Sequence, residues 1–268
     1  MLNRENVVST LRQVLLKHVP SNCRRFDYKI FDGVPRDRNM LGFFPDPGPC
    51  EGKVVEILDD FFLVKIKRTA FCIVDKSLAT AIPSVGDIVQ ITPYARRDFD
   101  GQHSDTPKKE IRTLSDGSQY SITSVMIGGT TTHLPLSEPK CPELAQLKEQ
   151  IEMMPAPDGF RKVAHLLVDA NARDFSMVDP EPDDIFKTPP AIRCHVKTTR
   201  FEGELAIIYE RGSDTYSIAL SQADKLIEQI DDVYFDELGQ RLADLIDDEL
   251  WLQIKVEVLS SKATRRTP

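Results

Sequence analysis

Basic side chains beside an aromatic ring are the residues of this chain whose types and spacing best suit a chemical task, the binding of nucleic acid. Arg96, Arg97 and Phe99 lie together in a polar segment that follows several short predicted strands. Cationic side chains neutralise phosphates, and an aromatic ring can stack on a base. We predict that these three residues contact nucleic acid. A mixed-charge segment is also typical of a solvated loop, so that alternative stays open.

A second basic group, Lys65, Lys67 and Arg68, lies on one of the predicted strands. Residues at positions i and i+2 of a strand share one face, so Lys65 and Lys67 would extend one surface. We predict that this group also contacts nucleic acid. The alternative is that the alternation only marks the side of the strand that meets water.

Acidic residues are concentrated in the second half of the chain, where they could contact a protein. The residues predicted to bind a protein partner are Asp183, Asp184, Asp231, Asp232, Asp236, Asp244, Asp247 and Asp248. Carboxylates could also imitate the phosphates of DNA. The alternative is a solvated helix face, whose first turn favours acidic residues because of the helix dipole.

Catalytic residues are not predicted, because no nucleophile, base and orienting group can be assembled by spacing from the five histidines and five cysteines. Cys194 and His195 are adjacent on a predicted strand, so their side chains point to opposite faces. The segment 98–105 has alternating carboxylates like a calcium loop, but it lacks the glutamate expected near the end of such a loop. We therefore expect no catalytic residue, no bound metal and no cofactor.

The formal charge of −8 is divided unevenly along the chain. Residues 1–140 hold 19 Lys+Arg against 17 Asp+Glu, whereas residues 141–268 hold 15 against 25. An acidic half repels phosphates, so nucleic acid is expected to contact only residues 1–140. The five cysteines are odd in number and far apart, and no stretch is apolar over the length of a membrane span. We expect a cytoplasmic protein without membrane contact.

The hydrophobic pattern predicts an α+β protein that begins with a helix and an irregular arm over residues 1–48. Short β-branched and aromatic runs then predict a small antiparallel β-barrel of the SH3 or OB type over residues 49–140. Segment 118–128 is expected to extend the sheet of this barrel. A linker helix follows over residues 141–157, where prolines mark both ends.

Residues 158–268 are predicted to form an acidic α+β domain, a mainly antiparallel sheet with helices on one face. Its strands include 204–211 and 215–221, which are joined as a hairpin by a Gly-Ser-Asp turn. Segment 251–259 is expected to close the same sheet.

The segment 50–95 resembles the KfrB-type domain, a small β-roll encoded by plasmids and integrative conjugative elements. The resemblance rests on the Gly-Lys-Val-Val strand 52–55, the Asp59-Asp60 turn and the Val85-Gly86-Asp87 turn. Residues 172–193 and 231–259 look like accessory domains in large polyvalent proteins of the same elements. The resemblance implies a cytoplasmic, non-enzymatic accessory protein of a mobile element, and it supplies no catalytic residue.

The leading functional prediction is therefore a binding module. Its β-roll would engage nucleic acid or a DNA-bound protein, and its acidic domain would dock a protein partner. One alternative is an acidic DNA mimic that inhibits a host DNA-binding defence enzyme. A second alternative is a metal-dependent hydrolase or nuclease whose site cannot be read from the sequence.

Overall fold

A computed structural model describes residues 11, 13–23, 25–33, 38–125, 130–181, 183–223 and 225–261. It is an α+β structure that consists mostly of sheets, in agreement with the predicted fold class. Its strands are β1 (Asp27–Phe31), β2 (Cys50–Ile57), β3 (Phe61–Lys67), β4 (Ala70–Asp75), β5 (Ile88–Thr92), β6 (Lys108–Thr113), β7 (Gln119–Ser124), β8 (Arg173–Val178), β9 (Ala191–Lys197), β10 (Glu202–Glu210), β11 (Thr215–Gln222), β12 (Lys225–Val233) and β13 (Lys255–Ser260). Its helices are α1 (Pro142–Met153), α2 (Val163–Asp169) and α3 (Leu238–Ile246), a 3-10 turn covers Leu250–Leu252, and residues 11 and 13–16 are also helical.

The chain divides into two compact units. Unit 1 consists of residues 1–37, 46–95 and 251–268, and unit 2 consists of residues 38–45 and 96–250. The predicted domain boundaries, after residues 48, 140 and 157, do not coincide with this division.

The placement of segment 251–259 in the acidic domain was wrong. This segment contains β13, which pairs antiparallel with β5 of unit 1, from Lys255 opposite Thr92 to Val258 opposite Val89. A strand pattern predicts that a segment is a strand, but it does not reveal a pairing partner far away in the sequence.

Unit 1 contains a six-stranded sheet in the order β1-β4-β3-β2-β5-β13. The pair β1 and β4 is parallel, and the other neighbours are antiparallel. This sheet is open, so the closed SH3- or OB-like barrel predicted for residues 49–140 is not formed. The physical reason is that β4 pairs with β1 and β5 pairs with β13. The outer sides of β4 and β5 are therefore occupied, and the two strands do not pair with each other.

The sheet of unit 1 buries side chains on both faces. On one face, Leu11, Val14 and Leu15 from the first helical segment share a core with Leu63 and Ile73. The earlier residues of that predicted helix, 1–10, lie outside the described part of the chain. The second core contains Phe31, Val54, Phe62, Val64, Cys72, Val74, Val89, Ile91, Ile254 and Val256.

Strand β2 changes its partner within its length. Its residues 50–53 pair with β5, and its residues from Lys53 onward pair with β3. At Gly52 a Cβ atom would lie 2.5 Å from the carbonyl oxygen of Lys65. Only glycine permits this close approach of two backbones, so Gly52 determines how tightly β2 lies against β3.

Unit 2 contains a five-stranded antiparallel sheet in the order β12-β11-β10-β9-β8, including the predicted hairpin β10–β11. Alternate residues of β9, namely Ile192, Cys194 and Val196, share a core with Leu144 of α1 and Leu167 of α2. The helices therefore cover the face of the sheet that holds these residues.

Segment 118–128 does not extend the sheet of unit 1, as the sequence predicted. Its described part contains β7, which pairs with β6 as a separate two-stranded ribbon in unit 2. Residues 126–129 lie outside the described part. The strand β6 was missed because its sequence, KKEIRT, has charged residues where a buried strand would have apolar ones.

Candidate functional site

Four cations of unit 1 lie along β2, β3 and the turn that follows β3. Lys53 and Lys65 occupy directly opposite positions of the antiparallel pair. Lys67 and Arg68 follow at the β3–β4 turn, where both are exposed. We call Lys53, Lys65, Lys67 and Arg68 the basic surface. Three of its members were predicted from the sequence, and Lys53 was not.

Lys53 and Lys65 bring two positively charged side chains to opposite positions of one strand pair. Directly opposite residues of an antiparallel pair point to the same face with Cβ atoms about 5 Å apart. Like charges at such positions destabilise a sheet by a few tenths of a kcal/mol or more. An anion bound between the two ammonium groups would remove this repulsion.

Lys65 is held in place by the elements around it. Its Nζ donates a hydrogen bond to the carbonyl oxygen of His18 at 2.6 Å and lies 5.9 Å from the ring centroid of Phe71. The carbonyl follows a helical segment, whose C-terminal end favours a cation. The Lys65 charge is therefore fixed near the surface instead of moving freely in solvent.

An aromatic ring lies in the same row of the sheet as Lys65. Tyr28 of β1 is opposite Phe71 of β4, which is opposite Lys65 of β3, so the three side chains share one face. The Tyr28 side chain is 40% exposed. Tyr28 was not predicted as a site residue. An aromatic residue on an edge strand is a sign of a binding surface, but the strand order is needed to recognise that β1 is an edge strand.

Glu56, also on β2, is engaged by His18 and Lys17 of the first helical segment. Its carboxylate lies 2.7 Å from His18 Nε2 and 3.4 Å from Lys17 Nζ. The hydrogen bond from His18 is the main reason that the pKa of Glu56 is lowered. This carboxylate therefore remains ionised and paired with residues of the helical segment.

One of the three residues predicted near position 97, Arg96, is structural, which corrects that part of the predicted nucleic-acid site. Arg96 is buried in unit 2, where its guanidinium donates to the carbonyl oxygens of Phe44 at 2.7 Å and Phe160 at 3.2 Å. The guanidinium also stacks 4.2 Å from the ring centroid of Phe160. Phe99 packs edge-on against Phe175, with centroids 5.0 Å apart. The Arg96 guanidinium is therefore not available to a phosphate, whereas the Phe99 ring is only partly buried and its stacking on a base stays a prediction.

Arg97 is exposed, and its Nη1 donates to the carbonyl oxygen of Gly101 at 2.9 Å. It belongs to unit 2, whereas Lys65, Lys67 and Arg68 belong to unit 1. The predicted site therefore divides into residues of two units.

The acidic residues also divide into two groups. Exposed in unit 2 are Asp183, Asp184, Asp231, Asp232, Asp236 and Asp244. Asp247 instead forms an ion pair with the buried Arg161, and Asp248 accepts the N–H groups of Thr199 at 2.9 Å and Leu250 at 3.1 Å. These contacts stabilise unit 2, and the binding of a partner by Asp247 and Asp248 stays a prediction.

Strand β12 is the edge of the unit 2 sheet and exposes apolar side chains beside two of these carboxylates. Leu226 and Ile227 are 52% and 54% exposed, and Asp231 and Asp232 lie on the same strand. Exposed Tyr234 and Phe235 follow directly after the strand. We call these six residues, which lie along or directly after the edge strand, the acidic edge. A sheet edge that combines exposed apolar side chains and backbone groups is typical of a protein-docking surface.

Arg161 is the centre of a buried ion-pair network in unit 2. Its side chain is 1% exposed, and it binds Asp158 through Nε at 3.1 Å, Asp169 through Nη1 at 2.8 Å and Asp247 through Nη2. Burial disfavours the charged guanidinium, but the carboxylates of Asp169, Asp158 and Asp247 outweigh burial and raise its pKa. The network joins the α2 region to the residue that ends α3.

His165 of α2 is fully buried in unit 2. Its Nδ1 accepts the N–H of Lys162 at 3.1 Å, so its proton lies on Nε2, which is 3.5 Å from the Ser104 hydroxyl. Burial, with the nearby Arg96 charge, lowers the pKa of His165 to about 3.

This Ser–His contact does not form a nucleophilic site. In a catalytic triad a carboxylate orients the imidazole through one ring nitrogen, while the other nitrogen accepts the serine proton. Here a backbone N–H occupies Nδ1 of His165, and Ser104 hydrogen bonds to Asp98. The hydroxyl and the imidazole therefore satisfy each other as buried polar groups.

Within the described residues, no group of three or more His, Cys, Asp or Glu side chains could hold a metal ion. None of the helices in the same part of the chain combines the length and hydropathy needed to cross a bilayer. Comparison of the chain with protein-family models, curated proteins and solved structures found no match. The resemblance to the KfrB-type domain therefore stays a prediction.

Proposed function

We propose that this chain is a non-catalytic binding protein whose unit 1 contacts the phosphate backbone of nucleic acid through the basic surface. The observation that carries this proposal is the direct opposition of Lys53 and Lys65 on one face of the sheet. Folding places two like charges together at a cost. Two phosphates of a nucleic acid would turn this repulsion into attraction.

The charge of the two units supports the same proposal. Unit 1 holds 16 Lys+Arg against 12 Asp+Glu, whereas unit 2 holds 18 against 30. The chain is acidic as a whole, but the unit that carries the basic surface has a net charge of +4. Phosphates would be attracted to unit 1 and repelled by unit 2.

The setting of this activity is part of the proposal. A sheet unit that contacts nucleic acid, joined to an acidic unit that docks a protein, is what we expect of a cytoplasmic accessory protein of a mobile genetic element. The five cysteines are all free thiols, as is common in a reducing cytoplasm.

The triple variant Lys53→Gln, Lys67→Gln, Arg68→Gln is expected to weaken nucleic-acid binding and to make it less dependent on salt. If each cation neutralises one phosphate of duplex DNA, the slope of log affinity against log salt becomes less steep by about 2.7. The measurement is fluorescence anisotropy of the full-length chain with a labelled duplex and a labelled single strand over a series of salt concentrations.

The matched control removes three exposed cations from unit 2, in the variant Lys140→Gln, Lys187→Gln, Lys225→Gln. It changes the net charge of the chain equally, so its slope should stay close to that of the wild type. Absence of binding at low salt, or equal slopes for the two variants, would contradict the proposal.

The acidic edge supports a second candidate function, inhibition of a DNA-binding protein by an acidic decoy. The observation that favours it is the exposure of Tyr234 and Phe235 next to Asp231 and Asp232. A decoy needs carboxylates to replace phosphates and apolar contacts to bind firmly. The acidic edge offers both.

The variant Asp231→Asn, Asp232→Asn tests this candidate. Asparagine is chosen because Asp232 has a φ of 57°, a backbone conformation that asparagine tolerates. Proteins that bind DNA are captured from the native host with the wild-type chain, and displacement of labelled DNA from them is titrated. About tenfold more variant than wild type should be needed for half displacement, since each exposed carboxylate contributes up to about 1 kcal/mol. Failure of the wild-type chain to displace DNA would exclude the decoy function.

A further inference from the structure

Two thiols meet inside the sheet of unit 1. Cys50 begins β2 and Cys72 lies within β4, and their Sγ atoms are 2.8 Å apart. The two strands are not neighbours, because β3 lies between them. The contact between the two sulfurs therefore spans the strand that lies between them.

The distance between the sulfurs distinguishes two uses of a thiol pair. The S–S bond of a disulfide is about 2.04 Å long. Two thiolates on one tetrahedral zinc ion, with Zn–S bonds of about 2.3 Å, would lie about 3.8 Å apart. The separation of 2.8 Å is too short for a shared metal, and it leaves only a small movement before a disulfide can form.

The two thiols differ in access and in ionisation. Cys50 is partly exposed, whereas Cys72 is fully buried. The hydrogen bond from Cys72 lowers the pKa of Cys50, with help from the Lys29 charge, and the same bond and burial raise the pKa of Cys72. The thiolate is the reactive form, so Cys50 is the thiol that reacts first with a reagent from solution.

We propose that Cys50 and Cys72 are a redox modification site that closes reversibly to a disulfide, with a low-molecular-weight disulfide as the oxidant. The Cys50 thiolate attacks one sulfur of the oxidant, forms a mixed disulfide and releases the first small thiolate. Cys72 then gives its proton to that thiolate and attacks Sγ of Cys50, and the second small thiolate leaves. The two protein thiols lose two electrons in total, and the small disulfide is reduced to two thiols.

The bond would tie β2 to β4 across β3, the strand that carries Lys65 and Lys67. Closing the site would therefore fix the strands that present the basic surface. The inference itself stands on the position of the two thiols and does not depend on the binding of nucleic acid.

The test uses the full-length chain and oxidised glutathione at about pH 8, where thiol–disulfide exchange proceeds readily. The chain is then alkylated in denaturant and mapped by mass spectrometry. Before alkylation, the bridge should lower the intact mass by about 2 Da, the two hydrogens lost on bridging. After alkylation, a crosslinked peptide should join Cys50 and Cys72. Dithiothreitol should restore both thiols. Cys141 and Cys194 should stay reduced, so both should be alkylated with and without the oxidant.

Two variants separate this pair from the other thiols. Cys72→Ser should stop the reaction at one glutathione on Cys50, whereas Cys23→Ser should leave the bridge between Cys50 and Cys72 unchanged. If the oxidised wild-type chain keeps both Cys50 and Cys72 alkylatable, or if Cys50 bridges to Cys23, the proposal is overturned. The wild-type result decides this even where a variant folds poorly.

Discussion

Replacing Arg161 with methionine is expected to lower the free energy of unfolding by about 3 to 5 kcal/mol. The guanidinium is buried and binds the carboxylates of Asp158, Asp169 and Asp247. Methionine fills much of the same space but leaves these carboxylates without their shared cation, and a buried charge that loses its partner is strongly destabilising. The measurement is urea unfolding followed by circular dichroism at neutral pH.

The matched control is Arg241→Met. Arg241 is an exposed arginine on α3 that lies 3.8 Å from Glu237, one helical turn away. Its removal should cost no more than about 0.5 kcal/mol, as is usual for an exposed pair of this spacing. Equal effects of the two substitutions would show that the burial of Arg161 has no energetic consequence.

A double-mutant cycle tests whether the network acts as a unit. Asp247→Asn removes one of the three carboxylates, so the combination with Arg161→Met should cost clearly less than the sum of the two single changes. Additive costs would contradict a direct interaction between Arg161 and Asp247.

The sequence predicted the strands of this protein better than their pairing. Alternation of apolar residues located β2 to β5, and the turn at 212–214 located the hairpin β10–β11. Both signals are local, because they arise from the period of a strand and from the conformations that a turn allows. The pairing of β13 with β5 joins distant parts of the chain, and no local pattern specifies it.

The same limit applies to the site residues. Lys67 and Arg68, which were predicted to contact nucleic acid, are exposed at the end of β3 and in the turn that follows it. Arg96 looked equally available in the sequence, but its partners, the carbonyl groups of Phe44 and Phe160, lie 52 and 64 residues away. Burial of a charged residue is decided by such distant partners, which a charge pattern does not include.

The network around Arg161 was missed for a related reason, although its local signal was present. Asp158 accepts the N–H groups of Phe160 and Arg161, an arrangement that an Asp-Gly turn favours. The turn explains why Arg161 lies beside Asp158. It says nothing of Asp247, which is 86 residues away and completes the network.

His165 is expected to make the folded chain less stable as the pH falls below about 6.5, the pKa of histidine in an unfolded chain. Burial and the nearby Arg96 charge lower the pKa of His165 to about 3 in the folded chain. The unfolded chain therefore binds one more proton than the folded chain between these two values. The neutral imidazole contributes fully to the free energy of unfolding above the pKa of the unfolded chain. This contribution is lost as the pH falls toward the pKa of the folded chain.

The expected size of this effect is about 1.4 kcal/mol per pH unit within that window. Carboxylates also titrate near its lower end, so the slope is best compared between pH values of about 6.5 and 5, where they contribute least. The variant His165→Asn keeps an acceptor for the N–H of Lys162 but has no titrating group there. Its free energy of unfolding should fall less steeply over the same range than that of the wild type, by the share that His165 contributes.

The exposed His103 provides the control, since His103→Asn should leave the slope of the wild type unchanged. The measurement is urea unfolding of the three proteins at closely spaced pH values. The slope of the free energy of unfolding against pH could be the same in His165→Asn and in the wild type. That outcome would mean that the imidazole takes up a proton in the folded chain near its ordinary pKa. That result would place a charged His165 beside Arg96 and Arg161 and would contradict the buried, neutral imidazole on which the packing of α2 depends.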